Sequence, residues 1–480
     1  MDFTPYIIKS YRGGLSDENS KGIAGSFKHG YGLDIHDRDD VLKCASTVAT
    51  IDSSLINDLI RFFVPAKDGT TYAFGSAGSI YAISGNIGDP AVSFAYNDEN
   101  GAIKGAAEWE ESDGNNYLVW ATNTSVARVL LNGSKDVPWA GAVQDYKVTL
   151  DPADWHTMGI ASGQLNIANN NFLATIGYDG SFDPSALDII PGNLIKAIEE
   201  RDDTVVLGSE RDDNSEQGHL WKWITTALNW IQKKKIPIKG VNALVDTENL
   251  ILQGGTDGEL FYSDFVNSVP IARVPGGGKV NPGGVSIDND LALFGFFGGT
   301  YPGLFSYGRR MKNRPTALNF QYRLARTVAG SSVSEIGAVA VVNGLPLASW
   351  ATTDGSTTDY GLDCVSSTTR ATALYEGLEF DAGVPHLNKN FKTVNVNTAP
   401  LVSGTSYSIK YKQNKESDWR YAVLAGNSTT YSTADSVQSL WTIDGLAAIF
   451  EIGVDLNPSG SSTPEILNIT TYVGNTGNPQ

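Results

Sequence analysis

Carboxylates gather in three stretches of this sequence, residues 34–40, 108–113 and 199–213. Two carboxyl groups facing each other across a glycosidic bond, one kept protonated by its surroundings, are enough to hydrolyse it. Loop carboxylates can also ligate calcium. Neither the 34–40 stretch nor Asp98-Glu99-Asn100-Gly101 keeps the EF-hand spacing to a closing glutamate, so turn chemistry explains them more simply. The five histidines, His29, His36, His156, His219 and His386, sit in no HExxH motif, and no GxSxG elbow is present. Pro275-Gly276-Gly277-Gly278-Lys279-Val280 lacks the Walker spacing and the hydroxyl residue after lysine, so it reads as a turn. Cys44 and Cys364 form neither a disulfide framework nor a zinc motif. No catalytic, cofactor-binding or metal-binding residue is assigned, and the chain is expected not to be an enzyme. Trp139, Trp155, Trp223 and Trp419 read first as core and sheet-edge packing, with sugar stacking or interface contact as the alternative if exposed.

The elements that would position these residues are strands. Glycine is abundant, with 51 residues among 480, and aromatic and β-branched residues outweigh helix-favouring runs. One internal repeat stands out. Ile195, Ala197 and Gly208 reappear as Val241, Ala243 and Gly254, each 46 positions on (241 − 195, 243 − 197, 254 − 208). Each copy reads as a strand, a polar turn and a second strand, followed by an aromatic strand at Gly218-His219-Leu220-Trp221 or Gly258-Glu259-Leu260-Phe261-Tyr262. A shorter copy runs from Val285 through Gly295 to Phe305. Looser ones occur at Thr71-Tyr72-Ala73-Phe74-Gly75, Asn116 to Trp120, Asn171 to Thr175 and Leu345 to Trp350.

A period of this length is that of propeller blades, which stack around an axis because a lone small sheet cannot cover both its faces. The expected fold is therefore all-β: a six- or seven-bladed β-propeller over 51–370, followed by a C-terminal antiparallel β-sandwich over 371–480. Tandem sandwiches and a solenoid are the competing accounts. The sandwich is read from period-two alternation in Phe391 to Asn397, Tyr407 to Lys412 and Phe450 to Leu456. Residues 1–50 read as a glycine-rich arm, mobile or ordered against a neighbour, with Val41-Leu42-Lys43-Cys44-Ala45 as a ring-closing strand. Residues 223–235 fit either a short helix or an outer strand with a loop.

Sialidase-like propellers carry Ser-x-Asp-x-Gly-x-x-Trp-like turns. Ser112-Asp113-Gly114-Asn115-Asn116-Tyr117 approaches that pattern once, without its spacer residues, so the carboxylates are read as solvated turns.

The formal net charge of −18 disfavours phosphate backbones and anionic lipid. The one basic run noted, Lys233-Lys234-Lys235, reads as a solvated loop. No signal peptide and no spanning apolar segment is legible, and two thiols without partners fit a reducing compartment.

Three passages resemble β-propeller proteins of tailed-phage tails, in the nozzle or hub class. They are Tyr11-Arg-Gly-Gly-Leu-Ser with Gly25-Ser26-Phe27 and Gly32-Leu33-Asp34-Ile35; the blade text Ile198 to Trp221 and Leu244 to Tyr262; and Phe380-Asp381-Ala382-Gly383, Lys389 to Lys392, Pro400-Leu401, Tyr407 to Tyr411 and Trp419. The resemblance implies a structural subunit of a phage virion, made in the bacterial cytoplasm and acting in tail assembly. Its partners would be copies of itself and other tail or head-tail proteins, with no specific nucleic-acid binding. A glycan-binding or glycan-cleaving propeller, an adhesin or depolymerase meeting a host-surface glycan, is the alternative.

Overall fold

A computed structural model describes residues 3–18, 20, 22–38, 40–86, 89–131, 139–143, 149–213, 215, 217–310, 312–328 and 333–475. Strands dominate, and the longest helix among these residues is the four-residue Ala325–Val328. The chain is all-β. It divides into two compact units, Ala49–Gly303 with Leu324–Cys364, and Met1–Val48 with Leu304–Arg323 and Val365–Gln480.

Among the described residues, seven antiparallel sheets follow one another along the chain. Their first strands are Ile60–Pro65, Gly105–Glu110, Met158–Ala161, Asn193–Arg201, Ala243–Asp246, Val285–Asp288 and Glu335–Val342. Each first strand touches the first strand of the next sheet, and Glu335–Val342 touches Ile60–Pro65, so the ring closes. This is the construction of a β-propeller.

Hydrophobic burial explains the closure. One core cluster joins Phe62, Tyr72 and Phe74 of sheet one to Leu118 and Trp120 of sheet two. The next joins Val119 and Ala121 of that same strand to Leu165, Ile167 and Ala174 of sheet three. Successive side chains of a strand point to opposite faces, so a middle strand must be apolar throughout to serve both neighbours. Val205-Val206-Leu207 obeys the same rule, with Val205 and Leu207 against sheet three and Val206 against sheet five. Ala338, Leu347 and Leu362 of sheet seven pack with Ile60, Ala73 and Tyr81 of sheet one, so no sheet in this series is left with a bare end.

The repeat maps onto equivalent strands, with one exception. Residues 195–198 and 243–246 lie on first strands, and Gly208 and Gly254 lie on second strands. Asn171 to Thr175 instead falls on the third strand of its sheet, Phe172–Ile176, because Gln164–Asn169 occupies second place. The repeated glycine is a matter of space. A Cβ on Gly208 would stand 2.5 Å from Val241 Cγ1, and one on Gly254 would meet the Gly240 carbonyl and Ile238.

Sheet seven takes its outer strand from the other end of the chain. Ser46–Asp52 lies beside Thr357–Arg370. The closing strand thus begins just after the expected Val41 to Ala45, which bridges to other partners at Leu42–Ile466 and Leu33–Cys44.

In the second unit, Phe3–Ile8, Ile466–Asn475, Lys389–Thr398 and Gln438–Ala447 form one sheet in that order. A second sheet contains Gly14–Leu15, Ser26–Tyr31, Ala373–Gly377, Phe450–Asn457, Ser406–Gln413 and Arg420–Tyr421. The sheets face each other through Phe391 stacked on Phe450 at 4.3 Å and Tyr407 against Trp441 at 6.0 Å. The N-terminal residues differ from the expected arm. Tyr6 pairs with Thr471 and Tyr31 with Leu374, so the strands Phe3–Ile8, Gly14–Leu15 and Ser26–Tyr31 complete these sheets of their own chain. Their hydrogen-bonding edges find strand partners more than 300 residues away, which local composition does not announce.

Candidate functional site

The three acidic stretches do different work in different places. In residues 34–40, Lys43 bonds Asp37 and lies 3.7 Å from Asp34. In residues 108–113, Glu108 accepts the Lys67 amide at 3.0 Å, Lys67 reaches Glu110 at 2.6 Å and Arg128 holds Glu111 at 2.8 Å. Lys67 belongs to the first turn of sheet one, so Glu108 and Glu110 tie sheet two to sheet one, whereas Arg128–Glu111 lies within sheet two. In residues 199–213, Lys196 bonds Glu210 at 2.5 Å and Arg211 bonds Asp213 at 2.8 Å.

Glu199 stands apart. Burial, with Asp246 and Glu200 nearby, pushes its carboxyl pKa up to about 8. Arg201, two residues on and so on the same face, reaches Asp246 of the next sheet at 3.3 Å. The result is a buried carboxyl at Glu199 near an Arg201–Asp246 ion pair, on first strands of adjoining sheets. Asp98 is a structural carboxylate, since the Trp120 indole donates to it at 2.6 Å and the Asn100 amide at 2.8 Å.

Each of the four tryptophans packs on its own chain. Trp139 stacks on Tyr96 at 5.3 Å, Arg61 covers Trp155 at 4.6 Å, Trp223 is buried with its indole donating to the Ala227 carbonyl, and Trp419 lies under the Lys410 and Lys412 ammonium groups. The lysine run lies on the strand Gln232–Ile236, with Lys233 over the Trp221 ring at 4.5 Å, rather than in a loop. Residues 224–231 connect two strands and are not helical, which resolves that ambiguity toward an outer strand with a loop. Pro275 to Val280 is a turn, with Gly276 and Gly277 at φ 83° and 73°. Both cysteines are buried and unbridged, and burial pushes the Cys44 thiol up to about 12. Among the described residues, no group of three or more His, Cys, Asp or Glu is placed to hold a metal ion.

Two features escaped the sequence reading. The first is a set of exposed apolar residues on the sheet that contains Phe3–Ile8 and Ile466–Asn475. Leu440 pairs with Asn395, Asn395 with Thr470 and Thr470 with Ile7, so these residues share one face. Leu440, Leu446 and Ile7 on that face are 62%, 55% and 50% exposed. The alternation of exposed Leu440 and buried Trp441 was a readable signal. The second is a small basic pocket lined by Arg12, His36, Arg309, Arg310 and Arg314. Arg309-Arg310-x-Lys312-x-Arg314 is interrupted, so it does not read as a run, and its companions lie some 300 positions upstream.

No protein-family model matches the chain, and no curated protein matches it. Among solved structures, it is similar to the WD40 β-propeller domain of Doa1 (12% identity, TM-score 0.42, covering 66% of this chain and 96% of that one). It is also similar to a chain of the mitotic checkpoint complex (11%, 0.43, 66% and 91%) and to the C-terminal WD40 domain of Sif2 (11%, 0.43, 67% and 99%). Likeness at this level identifies neither a relative nor a role.

Proposed function

We propose that this chain is a structural subunit of a phage virion, a tail component of the nozzle, hub or tip class, built as a seven-bladed β-propeller with a C-terminal β-sandwich. The single observation that carries an assembly role is the exposure of Leu440, Leu446 and Ile7 on one sheet face. Each leucine removed from water at an interface contributes about 1.5–3 kcal/mol, so such a face favours a partner. The blade text and closing-domain passages that resemble phage-tail propellers supply the particular assembly. The buried thiols, outside any disulfide, fit synthesis in a reducing cytoplasm before incorporation into the particle.

Sedimentation velocity tests the role directly. The wild type should form oligomers as concentration rises into the tens of micromolar. The Leu440→Lys/Leu446→Lys variant should remain monomeric with an unchanged circular dichroism spectrum. A wild type that stays monomeric throughout that range removes the self-assembly role. Antibody labelling of purified phage particles then tests the location, and unlabelled particles would remove the tail assignment.

The glycan reading keeps one specific support, the buried Glu199 carboxyl near Asp246, which Arg201 pairs. It predicts turnover of a bacterial polysaccharide that Glu199→Gln abolishes. A polysaccharide array with neither binding nor cleavage removes it.

A further inference from the structure

We infer that the propeller carries a second self-association surface, on which the basic outer strand of sheet four, Gln232–Ile236, meets the acidic outer strand of sheet three, Phe182–Asp188, of a second copy. This contact rests on the assembly reading above and adds a charged surface to the leucine face. Both strands are the last of their sheets, away from the first strands that close the ring, and both belong to one compact unit.

The positive charge on sheet four is unanswered within the chain. Lys233 opposes Trp221 and Lys235 opposes His219, so the two lysines share one face. Lys233 lies over the Trp221 ring at 4.5 Å, and Lys234 donates to the Val266 carbonyl at 2.5 Å. Among the described residues, no carboxylate pairs with any of these three lysines. Arg211 is already held by Asp213 at 2.8 Å. Burial first, then Lys233, Arg211 and Lys235, hold the His219 pKa down to about 4, and no anion opposes them. Sheet three offers the complement. Asp183 and Asp188 are exposed on its outer strand. Asp183 accepts the Ser185 amide and Asp188 the Asn171 side-chain amide, each at 2.9 Å, and no cation among the described residues pairs with either. Exposed Tyr178 and Ile190 flank that strand, and exposed Ile231 precedes the lysines, so apolar contact accompanies the charge.

Sheets three and four are neighbours in the ring, with Leu187 and Trp221 in one core cluster. A two-fold axis that sets sheet three of each copy against sheet four of the other therefore makes the contact twice. Exposed ion pairs are individually weak, so the contact strengthens association through the leucines and does not replace it. Aspartates bordering the lysines, and a net charge of −18, disfavour a phosphate backbone as the occupant.

Two charge reversals test it by sedimentation at low salt, Lys233→Glu/Lys235→Glu and Asp183→Lys/Asp188→Lys. Each should weaken self-association about tenfold, and the chain carrying all four substitutions should recover, since its pairs re-form with the signs exchanged. A mixture of isotope-labelled and unlabelled wild type, treated with a carbodiimide, should yield mixed-label peptides joining Lys233 or Lys235 to Asp183 or Asp188. Reversals that associate like wild type overturn the contact, as do losses that the combined exchange fails to recover. The assembly reading survives either result if Leu440→Lys/Leu446→Lys still dissociates. If wild type stays monomeric, the assembly reading fails, and cross-linking of the concentrated mixture decides the contact separately. Mixed-label lysine–aspartate peptides retain it, and their absence overturns it.

Discussion

At Glu199 a carboxyl group loses water on a first strand and faces two other carboxylates. The unfolded chain releases this proton near pH 4.5, whereas the folded chain holds it to about pH 8. The native state therefore binds the extra proton between those values. Its contribution to stability is complete below about pH 4 and declines as pH climbs toward 8. Glu199→Gln should exceed wild type by about 2 kcal/mol at pH 9, less than the full shift because water reaches the side chain, and match it at pH 4. Urea melts at the two pH values measure this, and identical pH profiles would refute the assigned environment. Lys389 shows the opposite economy. Its ammonium group donates to the Asp381, Val384 and Ala448 carbonyls at 2.6, 2.7 and 2.9 Å, using all three hydrogens. Lys389→Met keeps the length and strands three acceptors, so it should destabilise by about 3 kcal/mol in chemical denaturation. Little of this was legible beforehand. The 199–213 stretch drew attention by composition, but Asp246 becomes its neighbour only when consecutive sheets stand side by side. The arginines of the pocket were passed over because alternate residues interrupt them.

Among the elements, the closing strand depends on one carboxylate. Asp363 accepts from the Trp350 indole at 2.8 Å, from the Ala325 amide at 2.6 Å and from the Thr50 hydroxyl at 2.8 Å. Burial raises its pKa and these donors oppose the rise. Asp363→Ala leaves buried donors unmet beside Ser46–Asp52 and should cost about 3 kcal/mol; a melt within experimental error of wild type would show that Thr50 and Asp363 do not pin the strand. Middle strands were the readable part of the fold. Runs such as Val205-Val206-Leu207 and Leu250-Ile251-Leu252 are apolar without alternation because both faces are covered. The 46-residue offset was visible for the same reason, together with the space constraint at Gly208 and Gly254. The strands Phe3–Ile8 and Ser26–Tyr31 were not readable, since a proline interrupts the first, glycine and polar residues break up the second, and their register is set by residues 374–377 and 469–474.

On the scale of the whole molecule, the ring is a chain of shared cores. Each of the clusters described draws on two consecutive sheets, so no single sheet owns the surface it buries. Excising residues 243–273, one complete sheet, should therefore abolish cooperative folding of the ring and not merely lower its melting temperature. A shortened protein that melts like wild type would mean that the sheets stand independently. The outer strand of sheet seven has one more effect, on the order of events in the cell. Ser46–Asp52 leaves the ribosome early, while Thr357–Arg370 follows some 300 codons later. At about 5–20 residues per second, the first must wait roughly 15–60 s with its edge unpaired. During that interval a newly made chain can lend the strand to a sister chain on the same message, so domain-swapped by-products are the natural failure of fast, crowded translation.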